Sequence, residues 1–207
     1  PRLDVIPASR FISSAPEARS RYHHSVPPRV VSLLPSATEI VAALGVQPVA
    51  TSHECDHPPS VEELPSVVES RIDAEASSAE IDEQVQEMSS DGVYRIDREA
   101  LAAADPDVVI AQGICEVCAV DTVLVRSAIE DLGLDCELLT TDPHHVEDIL
   151  EDIRTIGDAI DRSERAETLV ADLQDRIGRV RSVADDQPIR PEVAVLDWLD
   201  PPMVAGH

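Results

Sequence analysis

RVVSLLPSATEIVAALG, residues 29–45, decides the fold. Residues 30–34 form an apolar run of strand length. Ser36-Ala-Thr-Glu39 has the spacing of a capping box, in which Ser36 and Glu39 would each satisfy a backbone N–H at a helix start. Ile40, Val41 and Leu44 then fall on one helical face, and Gly45 supplies the stop. A strand that runs directly into a helix opens an α/β unit.

The pattern repeats downstream. Residues 48–52 read as a second strand, and residues 58–93 as a polar, acidic stretch with a helix around 81–88 on the spacing Ile81, Val85, Met88. A short helix at 99–104 stops at Asp105-Pro106, and 107–112 (DVVIAQ) is a buried-type strand. A helix at 122–132 ends at Gly133, and a strand follows at 136–141. Asp142-Pro143 reads as an N-cap followed by proline at the first helical position. Ile149, Leu150, Ile153, Ile156 and Ile160 stripe that helix. A further helix at 163–184, with Leu169, Leu173, Ile177 and Val180 on one face, would exceed roughly 30 Å in length. After Pro188 and Pro191 comes a strand at 193–197 with no following helix and no partner of its own.

Strands alternating with helices imply an α/β fold, a Rossmann-like lobe whose parallel sheet is flanked by helices. The expected organisation is a tail or linker at 1–28, a lobe at 29–145, a helical segment with the long helix at 146–186, and the truncated start of a second, mostly missing lobe at 187–207. Residues 1–28 carry Pro7, Pro16, Pro27 and Pro28 and show neither the basic start nor the apolar stretch of a signal peptide.

Charge narrows the partners. Sixteen basic residues, every one an arginine, face 41 acidic ones, for a net charge of −25. Such a surface repels phosphate backbones and anionic lipid, so nucleic acid is not an expected partner. The acids are spread along the chain, as adaptation to high salt (a haloarchaeal-like composition) would require. No apolar run reaches transmembrane length. Four cysteines in 207 residues do not make a disulfide scaffold.

Chemistry-bearing residues cluster just after strands, where the crevice of an open parallel sheet lies. Pro35, Ser36 and Ala37 open a helix whose N–H groups suit an anion or carboxamide oxygen, although plain capping explains the Ser36 hydroxyl. His53, Glu54, Cys55, Asp56 and His57 put imidazole, thiol and carboxylate in one loop, where His57 could coordinate a ligand's metal. Cys115 and Cys118 form a CxxC between strand and helix. That spacing fits a thiol redox pair, a zinc site completed by His53 and Cys55, a local disulfide, or two buried thiols. Cys136 reads as core. His144 and His145 are adjacent, so one of them can face the crevice. Trp198, followed by Pro201, is a stacking platform or a core indole.

RVVSLLPSATEIVAALG at 29–45, SHECDHPP at 52–59, GICEVCAV at 113–120 and LDWLDPPMVAGH at 196–207 resemble, in order, the cobalamin-type branch of the helical-backbone substrate-binding proteins of ABC transporters. The resemblance spans residues 29–207. It implies two Rossmann-like lobes joined by one long helix, with a corrinoid, haem or ferric-siderophore ligand held between them. It also implies no catalysis and no resident cofactor, a cobalt corrinoid as the transported ligand, an extracytoplasmic location, and ABC permease subunits as partners. On this resemblance Pro35, Ser36, Ala37, His53–His57, Cys115, His144, Trp198 and Pro201 line the crevice. The relatives are expected to carry tyrosine where this chain has His57. Glu99 matches the acid that docks on permease arginines, against the plain reading of a first-turn glutamate favoured by the helix dipole.

No G-x-S-x-G, P-loop or G-x-G-x-x-G appears. The enzyme-class alternative is a thiol-redox or zinc-dependent protein built on Cys115, Cys118, Cys55 and His53. A third reading is a lobe that serves only as an interaction module.

Overall fold

The computed structural model describes residues 27–88, 92–113, 120 and 122–204. Its central strand is β1 (Val30–Ser32), in which Val30 and Val31 point to opposite faces and are both fully buried. A strand buried on both faces needs helices above and below it. β1 pairs in parallel with β5 (Val108–Gln112), Val30 opposite Val108, and β5 pairs in parallel with β6 (Glu137–Thr141). On the other side a parallel bridge joins Val31 to Ala50, where Val49 N–H donates to the Val30 carbonyl at 2.8 Å. From Ala50 the chain enters β2 (Thr51–Ser52), which runs parallel to β3 (Ser66–Ser70). β4 (Tyr94–Ile96) closes that edge antiparallel to β3. The sheet order is therefore β4-β3-β2-β1-β5-β6, with β4 alone reversed.

One face carries α1 (Pro35–Ala43), α5 (Val146–Ala159) and α6 (Ser163–Asp185), packed on Val30, Val108 and Ile110. The other carries α3 (Arg98–Ala104) and α4 (Thr122–Leu132), packed on Val31, Val109 and Ala111. α2 (Ser78–Glu87) buries no residue and stands outside both layers. The Arg29 guanidinium caps the end of α3, with Nη2 donating to the Ala104 carbonyl at 2.6 Å and Nε to Asp105 O at 3.0 Å. Asp105 itself takes a positive φ of 42°, a left-handed helix stop made by aspartate rather than glycine.

Several local expectations are corrected. The first helix starts two residues early, with Pro35 at its first position and Leu34 as a cap that uses no side chain, so Ser36 and Glu39 form no capping box. A capping box does form at Ser77 and Glu80, opening α2. Asp142-Pro143 does not open α5. His145 is the N-cap, and Asp148 Oδ2 accepts from the N–H groups of His144 (3.0 Å) and His145 (2.8 Å). On α5 Leu150, Ile153 and Ile156 are buried as the stripe requires, but Ile149 is exposed.

The stretch 58–93 contains one strand, β3, that its polar composition hid, and a second, β4, follows directly after it. β3 offers only Val67 and Val68 to the core, and β4 is a three-residue edge strand. The last strand does have a partner: β7 (Leu196–Leu199) pairs antiparallel with β8 (Pro202–Val204) in a separate hairpin, and residues 193–195 are not strand.

α6 is 23 residues long and buries only Ala166 and Val170. Leu169 and Leu173 pack partly on the lobe, while Val180 on the same face is 69% exposed, so the second half of the helix extends past the sheet. The close crossing of α5 on α6 depends on Gly157. A methyl there would meet the Ala166 Cβ at 2.5 Å, well inside contact distance. Gly157→Ala should destabilise the lobe by about 1–3 kcal/mol, the ordinary cost of overpacking. Urea denaturation of both forms measures the difference, and an equally stable variant would show that the two helices can part at little cost.

Candidate functional site

α1 leads from β1 to the β2 side of the sheet, whereas β5 lies on the other side of β1. The sheet order therefore reverses at β1 and β5, and a ligand crevice belongs beyond their carboxyl ends. Five segments reach that edge: the Leu34–Pro35 turn after β1, the His53–His57 loop after β2, Arg71 after β3, Gly113 after β5, and Asp142–His145 after β6. Tyr94 joins them, because antiparallel β4 starts opposite Ser70 at the end of β3.

A buried chain of hydroxyls and a thiol fixes the first two segments to each other. Thr38 Oγ1 donates to Ser32 Oγ at 2.9 Å, and Ser32 Oγ donates to the Leu34 carbonyl at 3.2 Å. Cys55 Sγ lies 3.1 Å from Thr38 Oγ1. With the Thr38 proton committed to Ser32, the thiol is the donor in that contact. Burial pushes the Cys55 thiol up from its ordinary value, which keeps that proton in place. The loop carrying His53 and His57 is thus tied through α1 to the central strand.

His53 is oriented from below. Its Nδ1–H donates to the Val68 carbonyl at 3.1 Å, so Nε2 is the basic nitrogen of the neutral ring. The imidazole lies 5.8 Å from the Tyr94 ring, tilted by 47°. Glu54, Asp56 and His57 are exposed on the same loop, which turns into Pro58 through a cis peptide bond.

Apolar side chains rim the other half of the edge. Val123 and Leu124 in the first turn of α4, and Val146 and Ile149 in the first turn of α5, are exposed and lie off the buried stripes of their helices. Because α4 and α5 cover opposite faces, these four residues flank the ends of β5 and β6 from both sides. Sequence reasoning missed them, along with Ser32, Thr38 and Tyr94. The available signal was an apolar residue at a helix start where the amphipathic stripe leaves no place for it.

The remaining candidates are distributed as follows. Pro35 and Ser36 are at the edge, Ser36 exposed, while Ala37 faces the core beneath α1. His144 is exposed, with Nε2 3.5 Å from Asp142 Oδ1. Trp198 and Pro201 do not come to this edge. They belong to the β7–β8 hairpin, where Trp198 Nε1 donates to the Asp200 carbonyl at 3.0 Å. Glu99 is exposed in the first turn of α3, its N–H held by Asp97 Oδ1. Reversed β4 carries the chain away from the crevice edge before Glu99 is reached. Cys115 and Cys118, with the redox, zinc and disulfide readings that depend on them, lie outside the described residues. Cys136 precedes β6, half-buried against the second core cluster, and its thiol is also raised by burial. Among the described residues no group of three or more His, Cys, Asp or Glu side chains is placed to hold a metal ion.

The comparisons fit this geometry. The family model described as "Periplasmic binding protein" matches residues 30–207. The chain belongs to the periplasmic binding protein family. That family consists of binding proteins rather than enzymes, and the enzyme-class reading is set aside. No curated protein sequence matches the chain. Among solved structures, the periplasmic haem-binding protein RhuT from Roseiflexus sp. RS-1, in apo form, superposes with a TM-score of 0.60 at 22% identity, covering 83% of this chain and 55% of its own. A periplasmic haem-binding protein from Pseudomonas aeruginosa gives 0.58 at 23% identity, covering 83% and 53%. SirA from Staphylococcus aureus, complexed with staphyloferrin B, gives 0.51 at 18% identity, covering 82% and 50%. At these identities the likeness is one of fold. The chain spans about half the length of the structures it matches.

The edge yields two tests. Thr38→Val leaves the Ser32 hydroxyl and the Cys55 thiol without their shared partner, which should cost about 1–3 kcal/mol. Alkylation of Cys55 should quicken as the loop loosens, and an unchanged rate would show that the loop is held by other contacts. At His145, hydrogen bonding to the His144 backbone and then the Asp148 carboxylate raise the imidazole above its ordinary value. The His144 and His145 N–H groups in turn lower Asp148. A raised histidine contributes stability below its unfolded value and loses it as pH rises through the folded one. A lowered aspartate contributes above its unfolded value and loses it as pH falls through the folded one. The cap is therefore strongest between the aspartate and histidine ranges. NMR titration of the His145 ring should show its midpoint fall in Asp148→Asn, and an unmoved midpoint would remove Asp148 as a cause.

Proposed function

We propose that this chain is the capturing lobe of the solute-binding component of an ABC importer, which takes a planar metal chelate at the β1/β5 edge and delivers it to a membrane permease. The observation that supports this best is the composition of the edge. An oriented imidazole and an aromatic ring stand on one side, and exposed apolar side chains cover both faces of the other. Such a surface suits a flat apolar body carrying a metal. Extracytoplasmic placement follows from the same reading, and no helix among the described residues is long and apolar enough to cross a membrane.

The four ordered motifs favour a cobalt corrinoid as the ligand. His53 and His57 are the groups that could reach its metal, and Pro35, Ser36, Glu54, Asp56 and His144 complete the contact surface. Ala37 and Cys55 act from beneath it. Glu99, exposed and clear of the crevice, is proposed as the contact for permease arginines. A second reading, haem or a ferric siderophore on the same edge, is supported by the ligands named for RhuT and SirA.

Absorption titration of the protein in high salt with cobinamide, cobalamin and haem tests both readings. Saturable spectral change with a corrinoid is the expected result, weakened by His53→Ala. Saturation by haem alone would replace the corrinoid with the second reading. No saturable change with any of them would overturn the planar-chelate proposal while leaving the fold and family as they are.

A further inference from the structure

His53 and Glu54 present two acceptors to one space. In the neutral ring Nδ1–H is spent on the Val68 carbonyl, so Nε2 carries a lone pair and no proton. Glu54 Oε1 lies 3.9 Å from that Nε2. A nitrogen without a proton cannot donate to a carboxylate, so the two electron-rich atoms converge without bonding each other. What fits beside both of them carries positive charge or donates N–H groups. Among the described residues no group of three or more His, Cys, Asp or Glu includes this pair, so it does not suit a bare ion. A metal already held in a macrocycle needs only an axial nitrogen. Bound at Nε2, such a metal brings the border of its macrocycle beside Glu54.

The far side of the edge has the same sign. β2 and β6 are three strand spacings apart across β1 and β5, roughly 14 Å, which a macrocycle with side arms can span. Asp142 and Glu147 are exposed just beyond β6. Arg71 is the one arginine in the segments that reach the edge, and its Nη1 donates to the Gly92 carbonyl. Arg126 lies in the second turn of α4, and Arg176, Arg179 and Arg181 lie on the overhanging half of α6. The plain reading of an exposed acid on this chain is solvation. Glu54 differs by its place beside the oriented nitrogen.

We propose that Glu54 is a specificity residue of the crevice, which accepts N–H groups from a chelate rimmed by amides and repels one rimmed by carboxylates. The inference rests on the proposed function and adds that the site reads the rim of its ligand as well as the metal. A corrin with amide arms surrounds a cationic cobalt core with donors. Haem propionates, or the arms of a polycarboxylate siderophore, meet Glu54 as like charges. The Glu54 side chain is 48% exposed, so solvent weakens the repulsion. A unit-charge contact at the surface is then worth about fivefold in affinity.

Cobinamide and cobyrinic acid are the probes, because they share corrin and cobalt and differ in carrying amide or carboxylate arms. Absorption titration of the whole chain, with the same axial ligands on both, should show cobinamide bound more tightly. Glu54→Gln keeps an acceptor and removes the charge. At low salt it should strengthen cobyrinic acid binding by about fivefold and leave cobinamide within about twofold, and the gain should shrink in high salt. Glu130→Gln and Glu164→Gln remove the same charge at the opposite edge, where α4 ends and α6 begins, and should leave the preference unchanged.

An equal gain in those two variants would assign the discrimination to the net charge of the chain and overturn the role of Glu54. Equal weakening of both corrins in Glu54→Gln would make it a support for His53 and overturn the role as well. Equal binding of cobinamide and cobyrinic acid to the wild type removes the specificity and leaves the proposed function standing. If haem alone binds, haem and haem dimethyl ester make the same comparison, with the ester expected to bind more tightly and the free acid to gain in Glu54→Gln. If no macrocycle binds, the proposed function fails and the role of Glu54 falls with it.

Discussion

Everything in this lobe depends on β1 being paired on both edges and covered on both faces. Val30 and Val31 alternate into two core clusters, and neither cluster can form without the other, because the same strand supplies both. Parallel pairing then forces each connection to cross over a face, which places α1 and α5 on one side and α3 and α4 on the other. The reversal of strand order at β1 and β5 is the geometric result. It brings helix starts and loops to one edge and leaves the opposite edge to caps such as Arg29 on α3.

The site inherits its precision from the strand that organises the core. Ser32 is the last residue of β1, and its hydroxyl begins the chain of contacts through Thr38 to Cys55. A polar chain this deep is stable only because each donor has an acceptor. Among the described residues no buried side-chain nitrogen or oxygen is left without one. The consequence for binding is rigidity: the loop of His53 and His57 cannot swing without breaking a buried contact next to the central strand.

The fold was legible where burial made the sequence periodic or continuous. The runs 30–34 and 107–112 contain β1 and β5, buried from Val30 to Ser32 and from Val108 to Ala111, and read as strands, while α4 was placed with its observed limits because Gly133 stops it. β3 and β4 escaped because a strand near a sheet edge needs only a pair of apolar side chains, and Val67-Val68 inside an acidic stretch carries too little pattern. Caps misled for a related reason. Ser36 and Asp142 have the right chemistry, yet Pro35 and His145 define the helix starts, since backbone geometry and the reach of Asp148 decide which residue caps. The site was half legible. The polar loop residues announce themselves by type, but the apolar rim of Val123, Leu124, Val146 and Ile149 is visible only once the buried stripes of α4 and α5 are known.

The charge of the chain acquires a structural sense from the same facts. Its acids occupy solvated helix faces and loops, so the repulsion among them is screened by water and salt rather than stored in the core. Against that background every cation is a guanidinium, whose planar fork fixes geometry as well as charge: Arg29 on the carbonyls at the end of α3, Arg98 on Asp131, Arg154 on Glu167 across the α5–α6 pair. On such a surface an anion cannot be attracted by the overall field, which is hostile to it. Any anion site must be made locally, by donors aimed before the ligand arrives.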